Sequence, residues 1–148
     1  MEIKIEISKD SIQELKDMVP DFHKSFYAGM RKAMFFAENK VKRSFGTGDT
    51  PKVRTGHLRR SIQSGVNKKG KNIEGYVGSN VKYAAIHEFG GTIKPRTGEY
   101  LTFILDGQFK KVKQVVIPKR SYLKDTIENN IDGIKNIIEN EIVTSLNR

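Results

Sequence analysis

Cysteine is absent from this 148-residue chain. Disulfides and thiolate metal sites are therefore excluded, and the chain has no need of an oxidising compartment. Tryptophan is absent too, and only 36% of residues are hydrophobic. That is lean for a globular protein and leaves room for burial completed against partners. No apolar run approaches the roughly 20 residues needed to cross a bilayer. The opening MEIKIEISKD alternates charge and lacks the apolar stretch of a signal peptide. These absences predict a soluble species with no membrane partner. The length suits one domain over residues 1–148.

Catalytic inventory is equally thin. The histidines are His23, His57 and His87. His87–Glu88 opens like H-E-x-x-H, but Gly91 stands where the second zinc ligand belongs. GTGDT at Gly46–Thr50 departs from G-x-x-x-x-G-K-[ST] and follows a helical pattern rather than a strand. No G-x-S-x-G is present, and Ser61 and Ser64 have no base at a telling spacing. Acids are few in mid-chain. The residues therefore assign no catalytic, cofactor or metal site and argue against an enzyme.

Acidic residues are scarcest where basic ones are densest. The net charge is +10, and from Lys40 to Lys71 the sole acid is Asp49 against ten Lys and Arg. Such a stretch suits an acidic partner, either nucleic acid or an acidic protein surface. It equally suits a solvated loop, because no aromatics are interleaved with the cations as in a single-strand binder.

The patterning predicts an α+β fold. Glu2–Ile7 alternates as a strand with Ile3, Ile5 and Ile7 on one side. Ser11 and Glu14 form a capping box for a short helix, ended by Pro20. Phe22, Phe26, Met30, Ala33, Ala37 and Val41 mark a long amphipathic helix over Asp21–Phe45. Gly46–Gly56 and Thr92–Glu99 read as extended flexible loops. Leu58–Val66 and Ile73–Gly78 read as strands turning at KKGKN, and Leu101–Leu105 and Val112–Ile117 as a second hairpin around Asp106–Lys111. Tyr83–Gly91 fits either a turn of helix stopped by glycine or a short strand. Leu123, Ile127, Ile131, Ile134, Ile138 and Ile142 predict a second long helix over Ser121–Leu146, with Gly133 at a kink or a close crossing. The expected architecture is a small antiparallel β-sheet packed against a long N-terminal and a long C-terminal helix.

Three blocks, in order, carry a resemblance. They are RTGHLRRSI at Arg54–Ile62, VGSNVKYAAIHEFGG at Val77–Gly91, and IPKRSYL at Ile117–Leu123. The order resembles the minor tail, tail-completion and head–tail joining family of long-tailed bacteriophages. That family carries T-G-x-L-x-x-S-I, then Y-A-x-x-x-E-F-G-G, then a P-x-R-P-F-L-like block before the last helix. Ser121 and Tyr122 stand where the family often has Pro and Phe; Tyr keeps the aromatic, and Ser can cap the helix.

The resemblance implies a virion structural protein, made in the bacterial host cytoplasm and placed at the tail or head–tail interface. It further implies a homo-oligomeric, hexameric ring at the neck that contacts other neck and tail proteins. The residues it marks for assembly are Arg54, Gly56, Leu58, Arg59, Arg60 and Ser61, then Tyr83, Ala84, His87, Glu88, Phe89, Gly90 and Gly91, then Pro118, Arg120, Tyr122 and Leu123. Arg54, Arg59 and Arg60 would face an acidic neighbour or DNA in the channel. By residue type, Tyr83, Ala84, Ile86 and Phe89 suit packing of a helix on a sheet, and Glu88 suits pairing with Arg59 or Arg120. The rival readings are a basic nucleic-acid-binding module, which lacks any helix-turn-helix, zinc-finger or RNA-recognition signature, and another tail component such as a terminator.

Overall fold

The computed structural model describes residues 1–5, 22–70 and 72–147. Strand β1 (Glu2–Ile5) alternates exposed and half-buried residues, and Ile3 and Ile5 rest on the core. Ile7, the Ser11–Glu14 capping box, Pro20, Asp21 and Lys71 lie outside the described residues. Helix α1 (Phe22–Ser44) buries the expected stripe of Phe22, Phe26, Met30, Ala33, Ala37 and Val41, together with Ser25, Gly29 and Met34. A stripe recurring at three and four residues wets one helix face and dries the other.

Beyond α1, a short helix α2 (His57–Ser61) leads into β2 (Ile62–Lys69), which turns back through Gly70 into β3 (Asn72–Ser79). The three strands form an antiparallel sheet ordered β1-β3-β2. The expected strand over Leu58–Val66 is thus half helix. Leu58 and Ile62 are both buried and stand four residues apart, the helical period. Arg60 N donates to Gly56 O at 2.9 Å, closing the turn.

The sheet lies directly on α1. A Cβ on Gly75 would stand 2.6 Å from Met34 Sδ and 2.9 Å from Met30 Sδ, so a bare backbone at this point is what lets the helix approach. Outermost strand β2 is guarded by α1 as well. Glu38 accepts from Ser64 N at 2.9 Å and Ser64 Oγ at 2.7 Å, and Lys42 Nζ donates to it at 2.6 Å. A side chain on an edge amide blocks pairing with another strand.

Burial works to raise the Glu38 carboxyl, but the bonds from Lys42 and Ser64 outweigh it and hold the group below its ordinary range. A depressed folded pKa stabilises the protein fully above the unfolded value, about 4.3, and that contribution is lost as pH falls through the folded value. Glu38→Gln is expected to cost about 1 kcal/mol at pH 7. In urea unfolding, the gap between wild type and variant should close from pH 5 to pH 3.

After β3 come helix α3 (Ala84–Phe89), β4 (Gly91–Ile93), β5 (Leu101–Leu105), β6 (Gln108–Val112) and β7 (Val115–Ile117). The helical option for Tyr83–Gly91 is the observed one. The second hairpin is tighter than expected: β5 pairs with β6, and β7 pairs with β4. Asp106 and Gly107 both have positive φ, 50° and 76°, and an Asp-Gly pair in that conformation closes a two-residue turn matched to strand twist.

The expected C-terminal helix is two helices, α4 (Tyr122–Asn129) and α5 (Ile131–Leu146). The break falls at Asn130, whose φ is −118° and whose Nδ2 donates to Thr126 O at 2.8 Å. That side-chain bond competes with continuing the helix. Gly133 instead marks a close crossing: a Cβ there would stand 3.1 Å from the Phe36 ring, while one on Gly29 would stand 3.1 Å from Ile138 Cα. α5 therefore runs antiparallel along α1, and α1 is the central element with the sheet on one flank and α5 on the other. No helix among the described residues is long and apolar enough to cross a membrane.

Candidate assembly site

The three sequence blocks meet at one end of α1. Ser61 Oγ and Ser79 Oγ lie 2.7 Å apart, and His57 Nδ1 lies 2.8 Å from Tyr83 Oη. These contacts join the first block to the second. The second and third are joined more firmly, because Arg120 N donates to His87 O and Ser121 N to Glu88 O, each at 3.1 Å.

Glu88 does the central structural work. Only 2% of it is exposed, and its carboxylate accepts from Leu123 N at 2.8 Å and Lys124 N at 2.9 Å. These are the second and third residues of α4, whose first-turn amides have no partner within the helix. An anion there also meets the positive end of the helix dipole. Two expectations are corrected by this. Glu88 bonds to helix amides rather than to Arg59 or Arg120. Ser121 stands at the N-cap in the left-handed region, φ 41°, but its side chain makes no capping bond. Sequence spacing could not reveal this cap, because donor and acceptor are 35 residues apart.

Of the residues expected to pack, Ala84 and Leu123 are buried, and Leu58 and Tyr122, which the resemblance marks for assembly, are buried too. Tyr122 stacks obliquely on Phe45 at 5.0 Å, and burial, aided by the Glu88 charge, pushes its hydroxyl far above the usual tyrosine range. Phe89, 64% exposed, and Tyr83, 42% exposed, do not pack into the core. Pro118 is exposed.

The meeting of the blocks leaves a cleft of about 520 Å3, lined by Phe45, Pro51 to Arg59, Tyr83, His87 and Arg120. A hollow of about 650 Å3 shares Arg54, Gly56 and Arg59 and adds Lys42 and Arg60. Gly56, φ 73°, turns the chain into α2 at its wall. The loop expected to be flexible here is tied down: Gly46 N donates to Pro51 O at 3.1 Å, Thr50 Oγ1 to Ser44 O at 2.6 Å, and Arg120 Nη1 to Thr50 O at 3.2 Å. Burial, then the Arg120 charge, lowers the His87 pKa. The cleft is therefore cationic through its arginines and Lys52, with apolar walls. Among the described residues, no cluster of His, Asp or Glu is placed to hold a metal ion.

No curated protein and no solved structure matches the chain. A family model does match, over residues 9–90, and its description is "Bacteriophage HK97-gp10, putative tail-component". The match takes in α1, strands β2 and β3, the first block and all of the second but Gly91, and it ends at Gly90, before the third. It spans more than half of the sequence, and the chain belongs to this HK97-gp10-like family of phage tail components.

Proposed function

We propose that residues 1–148 act as one structural subunit of a ring at the neck, completing the tail or joining it to the head, without catalysis. The observation that carries this reading is the convergence of the three blocks on a single cationic cleft. Its side chains, Arg54, Arg59 and Arg120 with Tyr83 and Val53, combine charge with exposed apolar surface. Such a lining suits a protein interface, where Arg and Tyr are the enriched anchors. An acidic, partly apolar segment of another neck or tail protein fits it better than bare phosphate does.

DNA in the ring channel is the second reading, favoured by the +10 charge. Binding of that kind falls steeply with salt. The assembly reading is tested in the phage or prophage that encodes the chain. Particles made without it should show heads and tails that fail to join, or tails with irregular ends. Normal particles would contradict the reading.

A further inference from the structure

The segment from β4 to β7 takes no part in the core. Every core residue, and every half-buried apolar residue packed against the core, lies at or before Ala84 or at or after Tyr122. Yet this arm carries Ile93, Tyr100, Phe103, Ile104, Phe109 and Val116 exposed on its surface. Ile104 and Phe109 face each other across β5 and β6 and are 72% and 70% exposed. A lone two-stranded hairpin is marginal in water, and the hairpin tip meets the body through an exposed ion pair, Asp106–Arg54 at 3.8 Å. Ile104 and Phe109 share one face of the hairpin and together expose on the order of 300 Å2 of apolar side chain. One side of a standard interface buries roughly 800 Å2.

Charge selects the occupant. The arm is basic, with Lys94, Arg96, Lys110, Lys111 and Lys113 against Glu99 and Asp106. The most acidic unit of the described chain is α4–α5, where Asp125, Glu128, Asp132 and Glu139 outnumber Lys124 and Lys135, Glu141 being paired with Lys32 of α1. On α5 the residues Asp132, Asn136, Glu139, Val143 and Leu146 are all exposed and recur at four, three, four and three, forming one stripe. That stripe is acidic at one end and apolar at the other, with Val143 53% and Leu146 49% exposed.

We infer that the β4–β7 arm of one copy docks on the outer α5 stripe of a second copy of this chain. Ile104 and Phe109 cover Val143 and Leu146, and Lys111, on the same face of the hairpin as Phe109, faces Glu139. The two surfaces differ, so the contact is heterologous and, repeated with a closing rotation, generates a ring. The inference rests on the ring reading above but fails independently of it.

The chain has no cysteine, so introduced pairs report unambiguously. A phage lacking the chain is complemented with Phe109→Cys, Val143→Cys or both, and particles are oxidised and run without reductant. The double variant should give a ladder of multimers of this chain, and each single variant none. In parallel, Lys111→Glu should lower the titre at least tenfold, and adding Glu139→Lys should restore it. Particles that assemble normally yet show neither ladder nor rescue would overturn the inference and leave the tail role standing. A cross-link from position 109 to a different virion protein would overturn it too.

Discussion

Replacing Glu88 by Ala is expected to destabilise the protein by about 3–4 kcal/mol. The carboxylate is buried and satisfies two amides of α4. Removing it strands the buried Leu123 amide, at about 1–3 kcal/mol, leaves the part-buried Lys124 amide without its acceptor, and forfeits the cap. Glu88→Gln keeps one acceptor oxygen but turns an NH2 group toward a backbone N–H, so about 2 kcal/mol is expected. For a chain of this size, each kcal/mol lowers Tm by roughly 2–4 °C. Calorimetry should rank wild type above Gln and Gln above Ala. An Ala variant with unchanged Tm would show that the carboxylate does not hold α4.

The second large effect comes from one of two adjacent glycines. Gly90 has φ 74° and ψ 173°, a region that side chains essentially do not enter. A Cβ there would stand 2.7 Å from the backbone N of Lys119. Strain of about 1–3 kcal/mol adds to a clash that only backbone movement relieves, and Gly90→Ala is expected to cost about 3 kcal/mol. At Gly91 a Cβ would meet only the flexible end of Ile86, at 3.2 Å, so Gly91→Ala should cost under about 1 kcal/mol. Equal Tm values for the two variants would remove Gly90 as the point where α3 closes on the third block.

Local periodicity made the long elements legible. The stripes from Phe22 to Val41 and from Leu123 to Ile142 are buried in the fold much as their spacing predicts. What periodicity does not carry was misplaced. Asn130 breaks the last helix through a local side-chain bond, a change that leaves the hydrophobic spacing intact. The turn at Asp106–Gly107 depends on two positive φ angles, and the helix at His57–Ser61 on a single turn of hydrogen bonding.

At the candidate site, residue types were informative and partners were not. Glu88 stood out within the second block, but its two amide donors lie in the third, and only the folded chain brings them together. Phe89 reads as core from its apolarity, yet it is among the most exposed side chains because α3 turns it outward. Of the basic stretch from Lys40 to Lys71, Arg54 and Arg59 line the same cleft as Arg120, a meeting that no spacing along the chain encodes.

The central claim, a structural role in joining or completing the tail, is tested most directly by electron microscopy of lysates from a phage lacking this chain. The readout is the fraction of heads that carry tails of regular end structure, with and without the chain supplied from a plasmid. The account predicts that joined particles are nearly absent without the chain and return when it is supplied. Equal fractions of normally joined particles in both lysates would contradict it.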